Sequence, residues 1–204
     1  MEPAHQRAAP GGNGFLLVVS GPSGAGKGTL VSHLIEQRPD CVFSVSATTR
    51  PRRSTEAEGR EYLFLDKDEF ERRREAGFFL ETAEVHGNLY GTPVHQVDER
   101  VRAGRVVVLD VDVQDGASVR RVRPDAVSVF VYPPSLGSLR ARLEARATDT
   151  PQVIEQRIAN APGELAQWVH YHYVIMNDQL EQAQKALLAI HDAEYARVHR
   201  LRIS

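Results

Sequence analysis

The chain has 204 residues, of which 42% are hydrophobic and 25% charged, and its formal net charge is −2. This composition is close to average globular usage, so it excludes a wholly disordered chain and a protein whose overall charge would collect nucleic acid. Its apolar runs are too short to cross a bilayer, and residues 1–14 lack the charged-then-apolar pattern of a secretory signal. We expect a flexible leader over residues 1–14 and a cytoplasmic protein.

The sequence contains one cysteine, Cys41, and eight histidines. A single cysteine cannot form an internal disulfide, and its apolar surroundings favour a buried small side chain. The histidines show no paired metal-ligand spacing, since even His170 and His172 lack further partners. We therefore expect no structural metal.

The first elements in the chain are a strand, a glycine-rich turn and a helix. Residues 15–20 form a continuous apolar run, and a helical pattern follows over 27–36. From 42 to 85 the pattern changes to short alternating segments at 42–46, 61–65 and 79–85, with a short helix at 66–76. We expect these segments to form a small inserted α+β unit.

Long apolar runs return at 105–111 and 126–131, with a weaker strand candidate at 173–176 and a final helix to about residue 201. Strands that are apolar throughout are typical of parallel sheets covered by helices on both faces. Residues 135–168 are helical and carry arginines, with breakers at Pro151 and at Pro162-Gly163, where we expect a helix to kink or end by about Ala161. The predicted fold is α/β and doubly wound, with a core of 15–40, 104–134 and 170–204, an insert over 41–103 and a lid over 135–169.

A phosphate-binding loop links the first strand to the first helix. It reads Gly21-Pro22-Ser23-Gly24-Ala25-Gly26-Lys27-Gly28-Thr29. Glycines allow backbone N–H groups to surround a phosphate, the helix N-terminus adds partial positive charge, and Lys27 can reach the β- and γ-phosphates. The strict motif has Ser or Thr directly after the lysine, where this chain has Gly28, so Mg²⁺ is expected to be held mainly by ATP oxygens and water.

The segment after the first helix carries a second group of anion-binding residues. Arg50 and Arg53 offer planar donors for a phosphate, and the Tyr62 hydroxyl can add a neutral hydrogen bond. Composition alone leaves open a solvated basic turn.

The sequence as a whole resembles the guanylate kinase family, from residue 15 to the last helix. The resemblance rests on the phosphate loop and on the following segments: Ser44-Val45-Ser46-Ala47-Thr48-Thr49-Arg50, Glu58-Gly59-Arg60-Glu61-Tyr62, Phe79-Leu80-Glu81, Gly87-Asn88-Leu89-Tyr90-Gly91-Thr92, Leu109-Asp110-Val111-Asp112-Val113-Gln114, Pro133-Pro134-Ser135, Arg142-Leu143-Glu144-Ala145-Arg146 and Val174-Ile175-Met176-Asn177-Asp178. It implies a P-loop NTPase-type sheet and an enzyme that phosphorylates GMP, and dGMP as well, with MgATP, without nucleic acid or membrane partners.

The resemblance also implies roles for individual residues. Those implied to hold the GMP phosphate are Arg50, Arg53, Tyr62 and Tyr90, and those implied to line the guanine pocket are Ser46, Glu81, Thr92 and Asp112. Chemistry agrees for Glu81, because guanine presents N1–H and N2–H₂ as neighbouring donors that one carboxylate accepts together. Adenine lacks that pair, and sites that lose partners in this way discriminate by roughly 10⁴. Asp110, at the end of a buried strand, is expected near Mg²⁺, which it would hold through water.

Catalysis in this interpretation needs positive charge rather than a base. The candidates are Lys27, Arg142, Arg146 and Arg157, of which the arginines are implied to form a lid over the ATP phosphates. Three features depart from the family pattern: the order of arginines and proline at 50–53, which leaves Arg52 or Arg53 as the second phosphate ligand, Asp115 after Gln114, and Ala147 in place of a glycine.

Three alternative functions make different demands on the sequence. A phosphokinase acting on a ribose bisphosphate should lack the guanine-facing residues, whereas Ser46, Glu81 and Thr92 are present. A non-catalytic interaction module related to guanylate kinases typically lacks an intact phosphate loop, which this chain retains. A P-loop GTPase should show an Asn-Lys-x-Asp motif, which the sequence lacks.

Overall fold

The computed structural model describes residues 14–60, 62–85, 87–146 and 149–200. In chain order its strands and helices are β1 (Leu16–Ser20), α1 (Lys27–Gln37), β2 (Cys41–Phe43), β3 (Ser46–Thr48), β4 (Tyr62–Phe64), α2 (Lys67–Glu75), β5 (Phe79–Val85), β6 (Asn88–Pro93), α3 (Val94–Arg102), β7 (Val106–Asp110), α4 (Val113–Val122), β8 (Val127–Tyr132), α5 (Leu136–Ala145), α6 (Pro151–Leu165), β9 (Tyr173–Met176) and α7 (Leu180–Tyr195). Short 3₁₀ helices cover Ala166–His170 and Val198–Arg200. No helix of the described residues is long and apolar enough to span a membrane.

The core is a five-stranded parallel sheet in the order β2-β7-β1-β8-β9. The central strand β1 pairs Leu16 with Val107 on one side and Leu17 with Val127 on the other. Its side chains alternate between two apolar layers. Leu17 and Val19 pack towards α1 and α7, and Leu16 and Val18 pack towards α3 and α4. Each fully buried aliphatic side chain stabilises the fold by about 1.5–3 kcal/mol, so the predicted doubly wound architecture follows from these apolar strands.

A second sheet, in the order β4-β3-β6-β5, stands beside the core. It has its own small core, in which Phe70 of α2 stacks on Phe79 of β5 with ring centroids 4.6 Å apart, against Ala47 and Leu89. Asp66 begins α2 by accepting a hydrogen bond from the Glu69 N–H, as expected of an N-cap. This sheet is formed by the region in which the sequence shows short alternating segments.

The sheet memberships differ in two places from the expected insert over 41–103. Cys41–Phe43 pairs in parallel with β7 and is therefore an edge strand of the core sheet. Helix α3 packs Val97 and Val101 on the core sheet. A three-residue strand and a nine-residue helix are too short for their periodicity to show which sheet they contact.

The expected helix break before Pro162 is wrong, because α6 continues through it to Leu165. Pro162 has no N–H, so the helix loses one hydrogen bond there. Burial of Ala161 against α5 and of Leu165 against Phe130 offsets that loss. The last helix, α7, ends at Tyr195 rather than near residue 201, which lies outside the described residues together with Ala147 and most of the expected leader.

Replacing Pro162 by Ala should stabilise the protein. The new N–H can donate to the helix, and Pro162 is exposed, so little packing is lost. We expect a gain of about 1–2 kcal/mol in the free energy of unfolding, after subtracting the entropy that proline removes from the unfolded chain. Urea unfolding measures it.

The neighbouring variant Gly163→Ala is the matched control, since a Cβ there meets nothing within 4 Å. It should gain about 0.5–1 kcal/mol. A Pro162→Ala protein less stable than the parent would show that the proline ring makes a contact the helix needs.

Candidate active site

The phosphate loop lies at the carboxyl end of the central strand β1 and turns directly into α1. Its shape requires glycine at two places. Gly26, which begins α1, has φ 95°, and a Cβ there would lie 2.3 Å from Asn177 Nδ2. Gly21 has φ 147°, and its Cβ would lie 2.4 Å from the Val131 carbonyl oxygen. The loop backbone is therefore packed against β8 and the chain after β9, with its glycines set by close approach.

The Lys27 ammonium lies across this loop. Its Nζ donates to the Gly21 carbonyl oxygen at 2.8 Å and to that of Pro22 at 3.3 Å. Burial lowers the pKa of Lys27, and the charges of Asp110 and Asp112 oppose that shift. The lysine is thus a partly desolvated cation, held at the loop with carboxylates near it.

Two side chains anchor the middle of the loop. Asn177 Nδ2 donates to the Ala25 carbonyl oxygen at 2.8 Å, and Arg142 Nη1 donates to the same oxygen at 3.3 Å. Arg142 Nη2 also donates to the Asn177 carbonyl oxygen at 2.8 Å. Arg142 is therefore bonded to the loop backbone from α5, with its Nη groups beside Gly26.

The other two predicted lid arginines come from α6 and from the end of α5. Arg157 of α6 donates to the Ser23 hydroxyl of the loop and lies 3.3 Å from Asp149. Arg146, at the end of α5, is exposed, and its charge acts on Lys27 and Asp110. A cleft of about 270 Å³ is lined by Gly24, Gly26, Thr29, Arg142, Arg146, Asn177, Asp178 and Leu180.

Asp110 ends the buried strand β7 beside the loop, and Asp112 follows two residues later. A Cβ on Gly28 would lie 3.4 Å from Asp110 Oδ2, so this carboxylate is next to the position where the strict motif has a hydroxyl. Burial raises the pKa of Asp110, and the charges of Lys27 and Arg146 counteract it. Asp112 Oδ1 accepts from the Asp115 N–H at 2.8 Å and so caps α4, while the Ser20 hydroxyl donates to its carbonyl oxygen.

Three residues expected at the acceptor phosphate, Arg50, Tyr62 and Tyr90, lie close together at the second sheet. The Arg50 guanidinium lies 5.4 Å from the Tyr62 ring centroid, and the Tyr62 and Tyr90 rings are 6.0 Å apart. Glu56, which the sequence did not single out, accepts from Arg50 Nη2 at 2.7 Å and from the Arg53 backbone N–H at 2.8 Å. This bond to Glu56 raises the pKa of Arg50, with a smaller contribution from the Tyr90 hydroxyl.

The side chains of Arg52 and Arg53 are exposed, so they are not gathered with Arg50 and the tyrosines. Ser46 pairs with Tyr62 across β3 and β4. Both line a cleft of about 460 Å³ that also includes Arg60 and Arg100.

Glu81 and Thr92 form a direct pair on neighbouring strands. The buried Thr92 hydroxyl donates to Glu81 Oε1 at 2.6 Å. Burial raises the pKa of Glu81, the Thr92 hydroxyl lowers it, and the Asp112 charge raises it again. Asp112 thus acts electrostatically on both Glu81 and Lys27, so it lies between the two groups of predicted site residues.

Two further acidic residues belong to this region although sequence reasoning assigned them no role. Asp115, noted only as a departure from the family pattern, has its pKa raised to about 7 by burial and by the charges of Asp112 and Glu81. Glu164 of α6 has a raised pKa through burial, and the charges of Asp112 and Lys27 act on it. Glu164 also lines a cleft of about 590 Å³ with Gln114 and Asn160. Only the folded arrangement of α4 and α6 brings Asp115 near Asp112 and Glu81, and Glu164 near Asp112 and Lys27.

With this geometry established, the relatives of the chain are informative. A family model described as guanylate kinase matches residues 14–194. The chain belongs to the guanylate kinase family. It is 50% identical to the guanylate kinase of Symbiobacterium thermophilum, over 92% of this chain and 89% of that protein, and 46% identical to that of Chelativorans sp., over 98% and 92%.

The fold agrees with this membership. The crystal structure of the guanylate kinase from Anaplasma phagocytophilum matches with a TM-score of 0.70 at 33% identity, over 95% of this chain and 93% of that one. Both the resemblance noted in the sequence and the predicted P-loop NTPase-type fold are confirmed.

The acidic group around Asp115 predicts a pH-dependent stability. A carboxyl whose pKa is higher in the folded than in the unfolded protein holds its proton more tightly when folded, so stability falls as pH rises from about 4 to about 7. Asp115→Asn removes this loss. We expect the variant to be about 1–2 kcal/mol more stable than the parent at pH 8, a figure reduced for solvent screening of a partly exposed group. The gain should be smaller at pH 5, as followed by urea unfolding.

Asp125→Asn provides a control of opposite sign. The Arg123 hydrogen bond lowers the pKa of Asp125, so that substitution should cost stability at pH 8 and less at low pH. An Asp115→Asn gain that does not change with pH would contradict the coupling of Asp115 to Asp112 and Glu81.

Proposed function

We propose that the protein transfers the γ-phosphoryl group of ATP to GMP, giving ADP and GDP. The observation that carries this proposal is the pairing of two clusters: the Lys27 loop on the core sheet, and the Arg50, Tyr62, Tyr90, Glu81 and Thr92 group on the second sheet. Asp112 is coupled to both. The Lys27 loop suits a nucleoside triphosphate, and the group on the second sheet suits a purine nucleoside monophosphate.

We assign the ATP phosphates to the loop and its arginines. The loop offers backbone N–H groups at a helix N-terminus, where an anion is favoured. Lys27 is already desolvated there, so little further desolvation opposes its contact with a phosphate. Arg157 reaches Ser23 of the loop from α6, a position from which it can stabilise charge on the transferring group.

We assign the GMP phosphate to Arg50, Tyr62 and Tyr90. A guanidinium matches two phosphate oxygens at once, and tyrosine hydroxyls can complete the shell as neutral donors. The same proposal includes one arginine of the exposed pair Arg52 and Arg53 as a second ligand, which would have to turn towards the phosphate.

We assign the guanine base to Glu81 and Thr92, with Ser46 and Asp112 at its edges. The Thr92 hydroxyl holds one oxygen of the Glu81 carboxylate, which fixes the direction of the group before the base arrives. A carboxylate that is largely buried costs free energy when unpaired, so a base with two adjacent donors is strongly favoured over one with an acceptor in that place.

No general base is required for the reaction. The second pKa of a phosphate monoester is about 6, so the attacking oxygen of GMP carries its charge at neutral pH. The protein has to bring two anions together and neutralise the charge that moves between them, which Lys27, Arg142, Arg146 and Arg157 are positioned to do.

The residues beside the loop fit a magnesium ion. Asp110 is an oxygen donor next to Gly28 and close to the charge of Lys27, and carboxylates usually hold Mg²⁺ through water together with substrate phosphates. When bound, the ion would neutralise charge on the β- and γ-phosphates. ATP and GMP are intracellular nucleotides, so we propose a cytoplasmic enzyme.

Lys27→Ala tests the phosphate loop. Removing one positioned cation should lower kcat by about 10²–10³-fold, because the lysine acts on charge that develops at the ATP phosphates. GMP affinity should stay within about twofold, since the lysine does not serve the acceptor. ADP release with GMP, dGMP, AMP, CMP and UMP as acceptors measures both activity and substrate choice.

The exposed Lys67→Ala at the start of α2 is the control and should keep full turnover. Near-normal kcat in Lys27→Ala would contradict the loop assignment. A parent enzyme that phosphorylates none of the five monophosphates would contradict the proposed function itself.

Glu81→Gln tests base recognition. An amide presents one acceptor and one donor group, so it cannot accept both guanine donors, and the KM for GMP should rise by about 10–100-fold, corresponding to 1.4–2.7 kcal/mol. The KM for ATP should change little. Steady-state kinetics with each nucleotide varied separates these effects.

The matched control is Glu84→Gln, on the same strand but exposed, which should leave both KM values unchanged. If Glu81→Gln and Glu84→Gln give the same KM for GMP, Glu81 does not contact the base.

A further inference from the structure

A cluster of potential metal ligands lies away from the nucleotide clefts. Asp40 and Cys41 stand at the start of β2, and His191 stands near the end of α7. Because the phosphate loop follows the carboxyl end of a parallel strand, the amino end of β2 belongs to the opposite edge of the core sheet. The cluster therefore has no part in the proposed reaction.

Its ligand atoms are close together. One oxygen of Asp40, the Cys41 sulfur and a ring nitrogen of His191 all lie within 4.8 Å of one another. His191 Nε2 is 2.9 Å from Asp40 Oδ2. A tetrahedral zinc site with bonds of about 2.0–2.3 Å places its ligand atoms about 3.3–3.8 Å apart. That separation lies between the 2.9 Å of the His191–Asp40 pair and the 4.8 Å that bounds the whole cluster.

The surroundings orient the histidine as a ligand. His191 Nδ1 is 2.9 Å from Asp192 Oδ1, and Arg38 holds the two oxygens of Asp192 at 2.9 and 2.6 Å. In metal sites the ligating histidine usually donates its second ring N–H to a carboxylate in this way, which fixes the ring and leaves the other nitrogen for the metal.

The thiol supplies a second, independent observation. Cys41 is 3% exposed, and its sulfur has no hydrogen-bond partner among the described residues. Burial raises the pKa of the Cys41 thiol to about 12, so it is unsuited to act as a nucleophile. A buried sulfur beside a histidine nitrogen and a carboxylate oxygen instead matches the donor set that borderline cations prefer.

We propose that Asp40, Cys41 and His191 bind one divalent cation of the zinc type, with water as the fourth ligand. Binding releases the thiol proton and the proton shared between His191 Nε2 and Asp40, so that the cation meets a thiolate, a neutral imidazole and a carboxylate. The side chain of Asp192 is 55% exposed and that of Asp40 is 21% exposed, which gives the ion a route from solvent. The site joins β2 to α7 across 150 positions of the chain.

Cobalt titration of the full-length, chelator-treated protein tests this site. Co²⁺ reports thiolate ligation directly, through a sulfur-to-metal charge-transfer band in the near ultraviolet and strong visible bands for a tetrahedral site. We expect one equivalent to bind with these bands, Zn²⁺ to displace it, and either ion to raise the melting temperature.

Variants separate this site from the nucleotide site. Cys41→Ser should lose the charge-transfer band while keeping GMP phosphorylation, and Asp192→Asn should bind about 10–100-fold more weakly. His170→Gln, an exposed histidine, and Asp110→Asn, near the phosphate loop, should bind Co²⁺ like the parent. Serine is close to cysteine in size, so Cys41→Ser should fold like the parent. The test therefore needs no substitution of the buried His191. The proposal is overturned if the parent binds no Co²⁺, binds it without the thiolate band, or gives the same spectrum as Cys41→Ser.

Discussion

The site depends on how tightly the Gly26 turn is held. Asn177 and Arg142, from the far side of the core sheet and from α5, both donate to the carbonyl oxygen of Ala25, and Asn177 comes so close to Gly26 that no side chain fits between them. This contact fixes the first turn of α1 relative to β8 and β9, so the loop N–H groups point in a set direction before any anion arrives. Preorganised dipoles of this kind stabilise charge without the cost of reorienting them during the reaction.

Under the proposed function, the two sheets hold the two different substrates. The parallel sheet carries Lys27 at its carboxyl edge, where the apolar strand β1 ends, and the smaller sheet carries Arg50 and Glu81 on short strands with a separate aromatic core. Carboxylates occupy the region between the two, and they raise one another's pKa values, as Asp115 shows. The buried aliphatic layers on both faces of β1 offset the destabilisation that this acidic grouping causes.

The sequence predicts those parts of the molecule that have a strong local signal. The strands β1, β7 and β8 are apolar throughout, and the loop from Gly21 to Thr29 carries its own motif, so their type and order can be read directly. The edge strand β2 and helix α3 cannot be assigned from periodicity alone, and the helix through Pro162 continues because burial of Ala161 and Leu165 outweighs one lost hydrogen bond. Contacts between distant segments, such as His191 with Asp40 or Arg157 with Ser23, leave no spacing in the sequence. The Arg50–Glu56 pair, six residues apart, lies in a turn that has no periodic pattern.

If Arg50 holds the acceptor phosphate as proposed, that phosphate has to replace Glu56, which already accepts a hydrogen bond from the guanidinium. Both side chains are largely shielded, with 16% and 11% of their surfaces exposed, so the arginine exchanges one anion for another when a ligand arrives. A singly charged ligand gains little binding free energy from that exchange, because it replaces a carboxylate of equal charge. A doubly charged phosphate gains more, so under the proposed assignment the Arg50–Glu56 pair would favour ligands that carry two negative charges over ligands that carry one.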